Sequence, residues 1–160
     1  LRVPPSVAAA LNAVPPPHPF DLDLYLALVQ DARGRRILIH DLPRAAVAAV
    51  CGAWIPWEGV DHVFIDPAAD GLHRDHIIAH EIGHMFLDTT AGRNSGIDTT
   101  SLRLLLATVG APPTVAVAAR SGTDAHERDV ELFALLTVTG QAPPRQSSRI
   151  DRVFSALDYP

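Results

Sequence analysis

The sequence predicts an α+β fold in which a small antiparallel sheet packs against two helices. Three observations lead there. A helical repeat of apolar residues is followed by three short runs of β-forming residues and then by further helical segments, so strands and helices are grouped along the chain rather than alternating. The connections between the three runs are short, which disfavours the crossovers that parallel strands require. The length, 160 residues, is that of one ordinary domain, and 48% hydrophobic with 19% charged residues is a globular balance. We divide the chain into an N-terminal arm and Pro-rich linker, residues 1–19, and a single domain, residues 20–160.

The arm holds one weak apolar stretch, Val7 to Val14, before the stiff run Pro15-Pro16-Pro17-His18-Pro19, and reads as a short helix or arm ending in a polyproline segment. From Phe20 onward, Leu22, Tyr25, Leu26 and Val29 recur at helical spacing. Asp21 and Asp23 sit near the positive helix N-terminus and Gly34 supplies a stop, so a helix is predicted over 20–33. Candidate strands follow at Arg36–His40, Ala53–Trp57 and His62–Asp66, each bounded by Pro, Gly or Asp, with Gly59-Val60-Asp61 as a hairpin connection. After the turn Asp70-Gly71, a helix is predicted from Leu72 to Leu87, its Ile77, Ile78, Ile82, Met85 and Phe86 facing a core. Residues 89–96 read as loop. Further helices are predicted over 99–109, 123–138 and 147–157.

A net charge of −5 supplies no overall basic field for a phosphate backbone, so direct nucleic-acid binding is not expected. All thirteen basic residues are arginine, which excludes lysine Schiff bases and a P-loop lysine. The one cysteine, Cys51, cannot form an intrachain disulfide and reads as a small hydrophobe. No apolar run approaches the roughly 18 residues of a membrane span, and prolines interrupt any signal-peptide core, so the default expectation is a cytoplasmic location without membrane contact.

His80-Glu81-Ile82-Gly83-His84 spells H-E-x-x-H. On a helix, histidines four apart share a face and can reach one metal ion, while the intervening glutamate is placed to act as general base toward water. Catalytic zinc takes three protein ligands, so a third must come from elsewhere. Leu87 and Thr90 stand where the metzincin pattern has Gly and His, which excludes that arrangement. A ligand on a downstream helix is the alternative, and only Glu127 and Glu131 follow the motif as glutamates. They lie four apart on one helical face bordered by Val130 and Ala134. Asp98 is a further candidate, although a turn or N-cap role suits it better. Glu127 could instead close a capping box with Asp124. His73 and His76 continue the motif stripe toward the helix start, His126 adjoins Glu127, and Asp88 is placed to orient an imidazole from behind.

With Glu127-x-x-Val130-Glu131-x-Phe133-Ala134-x-Leu136 downstream, the His80–His84 motif resembles the ImmA/IrrE family of metallopeptidases, in which a HEIGH-like helix precedes a segment of the form E-x-x-A-N-x-F-A-x-x-L. The likeness spans residues 36–138. Val130 replaces a usual Ala, Glu131 a usual Asn, and the family's Leu-Met-Pro ending is absent after Leu136. The resemblance implies a zincin-type pair of helices, a Zn2+ ion held by His80, His84 and Glu127, and Glu81 as catalytic base. It also implies a protein or peptide substrate such as a helix-turn-helix repressor or antitoxin-like partner. The contrasting expectation is a zinc-containing interaction module on the same fold that binds such a partner without cleaving it.

Overall fold

The computed structural model describes residues 3–47, 50–87, 97–114 and 124–140. Its elements run α1 (Pro5–Ala13), α2 (Leu22–Arg33), β1 (Arg36–Asp41), α3 (Arg44–Val47), β2 (Gly52–Trp57), β3 (Val60–Ile65), α4 (Gly71–Leu87), α5 (Thr99–Thr108) and α6 (Asp124–Thr139). Local chemistry accounts for several boundaries. Asp21 caps α2 by accepting from the Leu24 N–H, and Gly34 ends the helix in the left-handed conformation at φ 62°. Asp98 caps α5 by accepting from the Thr100 and Ser101 N–H groups. The helix expected over 147–157 and the loop expected over 89–96 lie outside the described residues, as do Asp88 and the start of the helix expected from 123.

The α+β class holds, but the sheet is mixed rather than antiparallel. Its strand order is β1-β3-β2, with β1 parallel to β3 and β2 antiparallel to β3. The physical reason lies in the link between β1 and β2. Residues 42–51 carry the unpredicted helix α3 and are long enough to pass over the position that β3 then fills, so the hairpin partner inserts between strands adjacent in sequence. The hairpin turn is also one step earlier than expected. Glu58 and Gly59 both take positive φ, 45° and 78°, the signature of a two-residue turn, and Val60 and Asp61 are already in strand.

Alternation along the strands divides the core into two layers. Trp54, Val63, Ile65 and Ile37 face Ile77, Ile78, Ile82 and Met85 of α4, together with Phe133 and Leu136 of α6. Ala53, Ile55 and Phe64 face the other way, onto Leu102, Leu105 and Leu106 of α5 and Ala46 of α3. The segment expected as an arm joins the first layer: Val7, Ala10, Leu11 and Val14 are buried with α4 and α6. Its apolar residues at i, i+3, i+4 and i+7 make one helical face, and burial of that face holds α1 in place.

Two polar arrangements accompany these layers. Asp61 is fully buried on β3, where its carboxylate accepts from Arg33 Nε (2.8 Å), Arg35 Nε (3.2 Å) and Trp54 Nε1 (3.0 Å). Arg33 also donates to the Met85 carbonyl near the end of α4, so one guanidinium ties α2, the sheet and the motif helix together. On the opposite face His40 Nε2 and His62 Nδ1 are 2.9 Å apart, with the His40 ring stacked on Phe64. Burial pushes both imidazoles below their ordinary pKa, and for His62 the neighbouring His40 adds to the effect.

Among the described residues the most extensive helix contact is α4 against α6. A Cβ on Gly83 would lie 3.0 Å from Val130 Cγ1 and 3.1 Å from Phe133 Cδ1, so the helices meet where one lacks a side chain. Val130 is β-branched and stiff at χ1, which limits its ability to move aside. We therefore expect Gly83→Ala to destabilise the fold by about 1 kcal/mol in urea unfolding, because overpacking of about 1 to 3 kcal/mol outweighs the roughly 1 kcal/mol of helix propensity gained. Adding Val130→Ala should restore part of the loss. The His40/His62 pair gives a pH expectation. Imidazoles depressed in the folded state bind fewer protons than in the unfolded chain, so stability is present above about pH 6.5 and is lost as pH falls below it. The urea midpoint should drop between pH 7.5 and 5.5, and the drop should shrink in the double variant His40→Phe/His62→Leu.

Candidate metal centre

The site is built from the α4 and α6 surfaces on either side of the Gly83 contact. α4 presents His80 and His84 one turn apart, their ring centroids 5.0 Å from each other and nearly perpendicular, at 72°. α6 brings Glu127 across from them. Glu127 Oε2 lies 3.8 Å from His80 Nε2 and 3.8 Å from His84 Nε2, and one ligand atom from each of the three residues falls within 4.8 Å of the others. Bonds of about 2.0 to 2.2 Å to a tetrahedral zinc would place the donor atoms about 3.3 to 3.6 Å apart, so small side-chain shifts close the cage. Two imidazole nitrogens and one carboxylate oxygen are a donor set that could hold a metal ion, and it is not specific to zinc.

Electrostatics favour the ligating form of the rings. Burial lowers the pKa of His80, and the adjacent His84 lowers it further, against the opposing pull of Glu131 and Glu127. A neutral imidazole offers the lone pair that a metal needs. His84 is 3% exposed and Glu81 5% exposed, so both sit under the surface of an open cleft of about 450 Å³. Val50, Cys51 and Gly52 close its other side, at the start of β2.

Glu81 is placed by a residue that sequence reasoning did not single out. A Cβ on Gly52 would lie 2.6 Å from Glu81 Oε1 and 2.8 Å from Ile77 Cγ2, so any side chain there would force the carboxylate and Ile77 to shift. A glycine opening a strand was the available signal, but a lone strand glycine also fits a bulge or a turn. The rival ligands are drawn into other work. Glu131 accepts from His76 Nε2–H (2.9 Å) and from His80 Nδ1–H (3.2 Å), on the side of the His80 ring away from Glu127. Asp98 is committed to its helix cap, also accepting from Ser101 Oγ at 2.6 Å, and the hydrogen bonds from Ser101 hold its carboxyl below the ordinary range. The His126 ring centroid is 5.8 Å from that of His84, beside the cluster, and His73 lines the cleft.

Replacing Glu127 with Ala should therefore weaken zinc binding by at least about tenfold in competition with a chromophoric chelator, since it removes a carboxylate that lies 3.8 Å from both Nε2 atoms. His80→Ala and His84→Ala should do the same. Comparison of the chain with family models, with curated proteins and with solved structures returned no match, so function is read from these residues themselves.

Proposed function

We propose that this protein is a zinc-dependent endopeptidase that cleaves a regulatory protein, of which a helix-turn-helix repressor or antitoxin-like partner is the type suggested by its resemblance to ImmA/IrrE metallopeptidases. The observation that carries the reading is Glu81: a nearly buried carboxylate in the same cleft as His80, His84 and Glu127, held against the start of a sheet-edge strand. A structural metal site closes on four protein ligands, whereas among the described residues this cluster offers three, beside a cleft and a carboxylate that is not one of them.

When bound, zinc supplies Lewis acidity toward a peptide carbonyl and lowers the pKa of water. His80, His84 and Glu127 hold the ion. Glu81 accepts a proton from the attacking water and returns it to the departing amine as the C–N bond breaks. Burial keeps that carboxylate away from competing bulk water, and Gly52 leaves it room against β2. Substrate binding falls to a strand edge. The strand just before the motif helix, expected at His62–Asp66, would be the first candidate edge, but it falls in β3, the central strand, which is paired on both sides. The strand that begins at the cleft is β2, an edge strand, so an extended peptide adding to β2 would pass in front of Glu81. Pro56 interrupts N–H donation near the far end of β2, which favours docking over its first residues.

Glu81→Gln is the decisive substitution because glutamine keeps the shape but cannot take the proton. Zinc content and urea stability should match wild type, and cleavage of a co-expressed helix-turn-helix partner should fall by at least about a hundredfold. Chelation should abolish cleavage in wild type as well. A Glu81→Gln protein that retains full biological effect, with no cleavage product in wild type, would replace the peptidase by a non-catalytic zinc-containing interaction module.

A further inference from the structure

Glu131 and His76 stand outside the three-residue cluster, yet they are joined to it by a continuous hydrogen-bonded chain, His76–Glu131–His80. We propose that the His76–Glu131 pair is a positioning device that fixes the tautomer and orientation of His80 for metal binding. This inference rests on the metal-centre reading above and adds two residues to it.

The geometry carries the proposal in three steps. A carboxylate only accepts, so the 3.2 Å contact requires His80 to carry its proton on Nδ1. The remaining lone pair is then on Nε2, the nitrogen that faces Glu127 Oε2 at 3.8 Å, which is where the ligating atom must be. Second, Glu131 uses both oxygens: Oε2 accepts from His80 and Oε1 from His76 at 2.9 Å. The Glu131 side chain is 59% exposed and would otherwise rotate freely, so the His76 N–H supplies the second point that orients the carboxylate. Third, the three residues span the α4–α6 joint. His76 and His80 are one turn apart on α4 and Glu131 is one turn after Glu127 on α6, so the seating that delivers Glu127 to one side of His80 delivers Glu131 to the other. An ordinary surface ion pair would involve one imidazole and no ligating ring.

The test uses the full chain, stripped of metal, with zinc affinity measured by chelator competition in wild type, Glu131→Ala, Glu131→Gln, His76→Ala and Glu127→Ala. Urea midpoints verify folding. Glu131→Ala should weaken zinc binding by about 10- to 100-fold, the range for partners that orient a ligating histidine. Glu131→Gln should recover most of that, because its amide oxygen still accepts from His80 Nδ1–H, and His76→Ala should fall between wild type and Glu131→Ala. In 15N-labelled metal-free wild type, the His80 ring should resonate as the Nδ1–H tautomer, a readout that needs no variant to fold. An Nε2–H tautomer, zinc affinity in Glu131→Ala within twofold of wild type, or no recovery in Glu131→Gln would overturn the positioning role. Complete loss of zinc in Glu131→Ala with retention in Glu127→Ala would overturn it differently, by making Glu131 the ligand. Failure of wild type to bind stoichiometric zinc would instead remove the metal centre, and this inference with it.

Discussion

The contact between α4 and α6 at Gly83 is the constraint on which the rest of the site depends. Glycine there lets Val130 and Phe133 of α6 settle against the α4 backbone, and that depth fixes where every side chain on the two facing surfaces can reach. Within one turn of this contact lie the residues with chemistry. His80 and His84 flank Gly83 on α4, and Glu127 and Glu131 flank Val130 on α6. A helix pair held further apart would leave two solvated histidines and two solvated glutamates, with no common point for an ion. Val130, β-branched and within 3.0 Å of where a Cβ on Gly83 would lie, makes the glycine hard to replace.

The motif helix also needs a fixed position relative to the sheet, and here the buried Asp61 acts. A carboxylate with no exposed surface is costly unless its charge is answered, and Arg33, Arg35 and Trp54 answer it from α2, the residue before β1, and β2. Arg33 extends the same network to the Met85 carbonyl, one residue beyond His84. The network therefore joins the strand that lines the cleft to the helix that carries the histidines. Apolar packing of Ile77, Ile78 and Ile82 on Trp54, Val63 and Ile65 supplies the attraction, and the ionic network sets the relative position.

Much of this was legible in the sequence because it is local. The 3.6-residue periodicity of α2 and α4, the acidic start of α2, the Asp98 cap, the Gly34 stop and the three strands within one or two residues all follow from short-range pattern. The pairing of His80 with His84 is a spacing rule, and Glu127 was reachable because only two glutamates follow the motif. What stayed hidden is non-local. No residue between 42 and 51 states that the chain skips a strand position. The four-residue α3 is too short to show a repeat. The arm was read as a linker because its prolines dominate, while its apolar face has meaning only once α4 and α6 are there to meet it. Glu127 and Glu131 are likewise equivalent by spacing, and only the rotation of α6 about its axis separates the one facing Nε2 from the one facing Nδ1.

The sheet order bears on function more than the mixed pairing itself. A meander in the order β1-β2-β3 would bury β2 between neighbours and leave β3 at the edge, so the strand reaching the cleft would be paired on both sides. Inserting β3 in the centre reverses this. β3, whose residues 61 to 65 are all buried, takes the position where both faces and both edges are covered. β2 takes the edge, with Gly52 against Glu81 at its start and Pro56 in the one place in a sheet where a missing N–H costs little. The same topology thus places the edge strand of the described sheet and a nearly buried carboxylate within one cleft, and the absence of a side chain at Gly52 is what lets the two come into contact.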